Sequence, residues 1–287
     1  MSGRLIEAYL VHLTLANYRP TTLLARGTCL RSFHRTLDGR DLTQAGRIDV
    51  EAYMGRTLRP ESRRAYKGHL RAFYRWALDE EYVTADPTAK LAPIRVPKAV
   101  PRPISEEQLV VAVAAGDARM KAWLLLAALG GLRCLEVAAL RPRDLEPTAS
   151  GMLLRLRECK GGGVATVPAH PLILDALDRV PIRNAAWWEC KANHVSLTIS
   201  AHLRAAGVDA TAHQLRHYAG TSWYRASGHD LLATATLLRH VSVKTTMVYA
   251  QLDPTRPREV VDAVQVPALS GRPADRGTLS VVHSESA

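Results

Sequence analysis

No stretch of the chain approaches the roughly 20 consecutive apolar residues that a membrane-spanning helix needs. Its start, "MSGRLIEAYLVHLTLANYRP", also lacks the long apolar core of a secretory signal. A soluble, cytoplasmic protein without a membrane partner is therefore expected. Cysteine is scarce: Cys29, Cys134, Cys159 and Cys190 are scattered, with no CxxC pair and no zinc-like spacing, so they read as reduced thiols. No cluster of Asp and Glu has the look of a two-metal site, and no Gly-rich loop ends in Lys-Ser or Lys-Thr. Metal-dependent nuclease and P-loop chemistry lose support, and no metal or other cofactor is expected. Negative charge is in deficit too. Against 38 Lys and Arg stand 27 Asp and Glu, leaving a formal +11 that favours a polyanionic partner, nucleic acid above all.

At 287 residues the chain exceeds the usual single domain, so two domains are expected, each able to bury its own core. Residues 4 to about 90 carry a helical pattern. Leu5, Ala8, Tyr9 and His12 or Leu13 share one face of a first helix, and Pro20 followed by two threonines opens a second. In "PESRRAYKGHLRAFYRWALDEE", residues 60 to 81, Tyr66, Leu70, Phe73 and Ala77 form an apolar stripe. Arg64, Lys67, Arg71 and Arg75 recur at steps of three and four along another face. Such a row is either a solvated face or a track for phosphates in a DNA groove. The lack of any acid interleaved between Arg64 and Asp79 favours DNA.

"APIRVPKAVPRPISEEQ", residues 92 to 108, carries four prolines, with Arg95 and Lys98 between them, and reads as an interdomain linker running along the same polyanion. Ser105 and Gln108 make a capping-box pattern, so a second domain is expected to begin near residue 104. After Asp144 the texture changes to "GMLLRLRECKGGGVATVP", residues 151 to 168, short alternating runs around a triple glycine that predict a hairpin with Lys160 at its tip or on the strand leading in. Helical texture returns to about residue 264. The expected plan is a helical domain over 1–91, a linker over 92–103, a second domain over 104–265, and a disordered tail over 266–287.

"TAHQLRHYAGTSWYRASG", residues 211 to 228, crowds His213, Arg216 and His217 onto one helix face. Such crowding calls for an anion opposite, unless the face is simply solvated. Each remaining candidate is ordinary by itself. Arg133 and Glu136 are an i, i+3 helix pair, Lys160 a turn lysine, His240 a surface histidine, and Tyr249 one of nine tyrosines. Their order is what carries meaning. "GLRCLEVAAL" with Arg133 and Glu136, "ECKGGGVATVP" with Lys160, "HQLRHYAGT" with His213, Arg216 and His217, and "LLRHVSVKTTMVYA" with His240 and Tyr249 together resemble the motif series of the tyrosine recombinase, or phage integrase, family. "LRAFYRWALDEEYVTADPTAKL" is similar to that family's core-binding domain, so the resemblance runs from about residue 4 to 264. Two of the motifs depart from the pattern. Gly163, Val164 and Ala165 replace the extra basic residues usual after the hairpin lysine, and Arg239 replaces the glycine that commonly precedes the last histidine. The second departure is expected to change the local turn or add a phosphate contact.

The resemblance implies a mainly α protein with a small antiparallel β-sheet, built as a helical, SAM-like core-binding domain plus an α+β catalytic domain. It implies a DNA strand-exchange enzyme that needs neither metal nor ATP. Tyr249 would be the nucleophile, Arg133 and Arg216 the phosphate clamps and Lys160 the general acid. His213 would aid proton transfer at Tyr249, His240 would bond a phosphate oxygen, and Glu136 and His217 would support. The implied partner is double-stranded DNA carrying core attachment sites. The implied assembly is a homotetramer on DNA from a monomer or weak oligomer in solution, with an accessory directionality factor possible. No arm-binding domain is expected, which suits a short integrase of a phage or mobile element acting at the nucleoid of a bacterial host. An Xer-like enzyme that resolves chromosome dimers is the nearest alternative. A non-catalytic DNA-binding regulator on the same scaffold and a type IB topoisomerase are further ones.

Overall fold

The computed structural model describes residues 2–97, 102–157, 163–240 and 242–251. Lys98, Lys160, segment 257–264 and the tail lie outside them. Two compact units, Met1–Ala99 and Val100–Ala287, divide the chain. Helices dominate, and a small antiparallel sheet accompanies them in the second unit, as the resemblance implies.

The first unit holds α1 (Ser2–Leu15), α2 (Pro20–His34), α3 (Arg47–Gly55) and α4 (Pro60–Asp79). Both α2 and α4 begin with proline directly after an extended residue, Arg19 or Arg59, where the missing N–H costs nothing and the fixed φ suits the first turn. Leu5, Ile6, Tyr9 and Leu13 of α1 are buried against α2. On α4 the predicted stripe is observed in wider form: Leu70, Phe73, Tyr74, Trp76 and Ala77 are buried, and Tyr66 packs against this core. The Tyr9 and Phe73 rings meet edge to face at 5.3 Å. Tyr74 remains polar at its tip and donates to the Leu42 carbonyl at 2.9 Å.

The second unit contains α5 (Glu106–Ala114), α6 (Ala118–Ala128), α7 (Cys134–Ala139), β1 (Leu145–Thr148), β2 (Gly151–Leu156), β3 (Ala165–Pro168), α8 (Pro171–Asp178), α9 (Ala192–Ala205), α10 (Ala212–Ala226), α11 (Leu231–Leu238) and α12 (Met247–Gln251). The Ser105–Gln108 capping box forms, with Gln108 N–H to Ser105 Oγ at 3.2 Å and Ser105 N–H to Gln108 Oε1 at 2.9 Å. Apolar nearly all round, α6 is the central helix, enclosed by α8, α9 and α10. The predicted hairpin is β2 and β3, with Leu154 opposite Val167, and both side chains face the core. A third strand, β1, was not foreseen; it pairs with the other side of β2. Pro147 and Pro168 are tolerated because β1 and β3 are the sheet edges. Just past the loop end of β2, Arg157 Nε donates to the buried Asp144 at 2.5 Å, tying down the end of the strand that leads toward residue 160. The segment His202-Leu203-Arg204, which superficially copies the His-x-x-Arg box, is ordinary α9, and the His202 ring lies 2.8 Å from the Ala112 carbonyl.

Candidate active site

Gly130 and Gly131 set up the site. Gly131 adopts φ +57°, and a Cβ there would stand 2.7 Å from the Trp223 ring, so the turn between α6 and α7 closes only with glycine. The next turn begins with Arg133 as the residue capping α7. Glu136 reaches back to accept the Arg133 N–H at 2.7 Å and the Arg133 Nη1 at 3.0 Å. The pair expected from sequence is therefore real, but it is not a surface pair: the Glu136 side chain is 0% exposed and that of Arg133 26%.

Helix α10 supplies the second half. Arg216 is 3% exposed and donates through Nη1 to the Gly131 carbonyl and through Nη2 to the Leu238 carbonyl, joining the turn before α7 to the end of α11. Its Nη1 stands 3.9 Å from Glu136. Burial first, then the like charges of Arg133 and Arg239, push its pKa down to about 9, which leaves it charged at neutral pH. Of the five guanidinium N–H groups, two are committed to these carbonyls, so donors remain for an anion.

Tyr249 on α12 is 2% exposed and packs its ring flat on Gly220, where a Cβ would come within 2.3 Å of Tyr249 Cζ. Its hydroxyl lies 3.3 Å from His217 Nδ1, and His213 meets the His217 ring edge-on at 4.5 Å between centroids. The sequence reading gave His213 the role beside the tyrosine. The structure puts His217 there, one turn further along α10 and nearer to the glycine that receives the ring. Burial raises the Tyr249 pKa, while Arg216 and Arg133 oppose the rise, so the phenol is protonated at rest and its anion is stabilised as it forms. His240 Nδ1 lies 2.9 Å from Oγ1 of the buried Thr246.

His217 and His240 are both held down to about 4, by burial first and then by neighbouring cations, so both are neutral at pH 7. In an unfolded chain histidine titrates near 6.5. Between those values the unfolded chain takes up protons that the folded site refuses. Their contribution to stability is thus fully present above about pH 6.5 and is lost as pH falls toward 4. The melting temperature is expected to drop as pH goes from about 7 to about 5. His217→Gln is expected to flatten that dependence, and thermal melts across the range check both.

Arg133, Glu136, His213, Arg216, His217, His240 and Tyr249 thus come together in the second unit, although 116 positions separate the first from the last. The sequence reading missed Thr246, the Gly131 carbonyl and Gly220. Gly220 did carry a signal, since it lies four residues beyond Arg216 on the helix face already singled out. In the first unit Arg64, Arg71 and Arg75 are exposed on α4, and Arg95 is exposed beyond it. Lys67 instead donates Nζ to the carbonyls of Leu91 at 2.8 Å and Ala92 at 2.7 Å.

A buried tyrosine beside neutral histidines and arginines, on a helical unit with a three-stranded sheet, is an arrangement chemically suited to nucleophilic attack on a phosphate. A model of the phage integrase family matches residues 103–256, more than half of the chain, and the chain belongs to that family. Within it the function is that of a site-specific tyrosine recombinase. The chain is similar to the tyrosine recombinase XerC 2 of Ralstonia nicotianae, 26% identical over 297 residues that cover 91% of this chain and 85% of the relative. It is similar to XerD of the same organism, 29% identical over 250 residues covering 75% and 77%. In fold it resembles a lambda integrase dimer bound to a COC′ core site, with TM-score 0.72 and 15% identity, covering 86% of this chain and 76% of that one. It also resembles XerH bound to palindromic difH substrate in a post-cleavage complex, with TM-score 0.68 and 17% identity over 86% and 81%.

Gly220→Ala gives a sharp test of the packing. Alanine in mid-helix gains about 1 kcal/mol of helix propensity over glycine, yet its methyl occupies the space of the Tyr249 ring. Covalent adduct formation on a cleavable duplex is expected to slow at least about tenfold, since a displacement near 1 Å costs about 10²-fold. Adduct gels beside circular dichroism melts separate this effect from unfolding.

Proposed function

We propose that the chain is an integrase that integrates or excises phage or mobile-element DNA by exchanging strands at core sites. The observation that carries this reading is the buried Tyr249, hydrogen-bonded to a neutral His217 and close enough to Arg133 and Arg216 to feel their charge. Tyr249 Oη attacks the scissile phosphorus and yields its proton toward His217. The P–O5′ bond breaks as the new P–O bond forms, leaving a 3′-phosphotyrosyl link and a 5′-oxygen that takes a proton from Lys160. The bond energy is conserved in the ester, so the 5′-hydroxyl of a partner strand reverses the step through a Holliday junction without metal or ATP. Arg133 and Arg216 stabilise the charge that gathers on the non-bridging oxygens, while His240 bonds one of them.

In this reading residues 1–91 grip the core site, with Arg64, Arg71 and Arg75 along the backbone and the linker, through Arg95 and Lys98, following it. Four copies assemble on DNA at the nucleoid of a bacterial host, with a directionality factor as a further partner. A second reading, an Xer-like enzyme resolving chromosome dimers, is favoured by the relatives named XerC and XerD. A pair of tests decides. A nicked suicide duplex carrying the site that the protein protects from nuclease should trap a protease-sensitive adduct on the 3′ end. Plasmid lacking that site should not be relaxed. Binding without an adduct would sink the recombinase mechanism, and relaxation of siteless plasmid would point to a topoisomerase. A protected site next to the gene and beside a phage attachment sequence supports the integrase, whereas one at the chromosome terminus supports the Xer-like role.

A further inference from the structure

The residue preceding His240 closes α11 in the left-handed region, at φ 54° and ψ 46°. Glycine adopts this conformation freely, whereas an L residue strains its Cβ against the following carbonyl. Arg239 occupies it nonetheless, and its side chain is only 9% exposed. Nη2 donates to Glu136 Oε2 at 2.8 Å and to the Gly131 carbonyl at 3.0 Å, while Nη1 donates to the Leu237 carbonyl at 2.9 Å.

Glu136 is consequently faced by three arginines. Oε1 receives Arg133 Nη1 at 3.0 Å, Oε2 receives the Arg133 N–H at 2.7 Å and Arg239 at 2.8 Å, and Arg216 stands off at 3.9 Å. Gly131 in turn accepts from both Arg216 and Arg239. A buried carboxylate attracts any cation within reach, most strongly where solvent is excluded. With Arg239 on Oε2, that carboxylate is already satisfied. Arg216 is then not drawn fully onto it and keeps donors for phosphate.

Accepting the recombinase reading, we propose that Arg239 is a positioning residue of the cleavage site: it neutralises Glu136 so that Arg216 holds the phosphate rather than the acid. It also pins the end of α11, and with it His240, to the turn before α7. Glycine at this position would lack both effects.

The test is single-turnover cleavage of the nicked suicide duplex at saturating protein, with DNA affinity and thermal melting measured on the same full-length samples. Arg239→Gly relieves the left-handed strain, so its melting temperature is expected to be equal to or above wild type. Its cleavage is expected to fall roughly 10–100-fold, the range for a group displaced by about 1 Å. DNA affinity, set mainly by backbone contacts, is expected to change by no more than about threefold. Arg239→Lys, which keeps the charge but not the fork, is expected to fall between Arg239→Gly and wild type. The diagnostic is a cycle with Glu136→Gln. Once the acid is neutral it no longer pulls Arg216, so the double variant should cleave no more slowly than the poorer single variant.

Wild-type cleavage by Arg239→Gly overturns the proposal. So do single losses that simply multiply in the double variant, or unfolding of Arg239→Gly, which would make Arg239 a folding residue. A wild type that protects the site but forms no adduct overturns the recombinase reading itself, and this inference with it.

Discussion

Tyr249→Phe is expected to bind the core site with affinity unchanged and to form no covalent adduct. The substitution removes one oxygen from a ring that is 2% exposed and seated on Gly220, so the slot is filled as before. What disappears is the nucleophile and its hydrogen bond to His217. A single neutral hydrogen bond contributes about 1 kcal/mol, so the fold should survive with only a small drop in melting temperature. Denaturing gels of the suicide duplex after protease treatment read the result directly. An adduct that persists in Tyr249→Phe would mean that another side chain attacks the phosphate.

Arg216→Lys is the second large effect. The native guanidinium bridges two carbonyls 107 positions apart, Gly131 and Leu238, and still offers donors to an anion. A lysine ammonium is a point charge that cannot span both carbonyls and a phosphate oxygen in one plane. Cleavage is expected to fall about 10²–10³-fold, as when a preorganised donor is lost from a transition state. Stability should fall too, because a buried carbonyl without a partner costs about 1–3 kcal/mol. Single-turnover rates and thermal melts together check this, and near-native cleavage by the lysine variant would show that charge alone suffices at Arg216.

Elements governed by local rules were legible in the sequence. The proline starts of α2 and α4, the apolar stripe of α4, the Ser105–Gln108 cap and the β2–β3 hairpin all follow from neighbours within a few residues. Strand β1 was not legible, because Leu145–Thr148 is short and holds a proline, and it exists only because β2 presents an edge to pair with. The site divides in the same way. Motif spacing picked out the residues, but not how they interlock. Arg239 reaches Glu136 across 103 positions and His217 reaches Tyr249 across 32, so nothing local could announce either contact. The left-handed backbone that aims Arg239 inward was equally invisible, since arginine is not the residue that usually signals it.

The ammonium of Lys67, held by the carbonyls of Leu91 and Ala92, has a consequence for the thermodynamics of DNA binding. Affinity for a polyanion is driven largely by the release of condensed counterions, about 0.9 per phosphate neutralised on duplex DNA. The carbonyls leave the Lys67 charge intact but commit two of its three N–H donors, so it reaches a phosphate directly only by giving those bonds up. In the recombinase reading, the basic face of α4 is therefore expected to make three direct phosphate contacts, through Arg64, Arg71 and Arg75, rather than the four that the sequence offers.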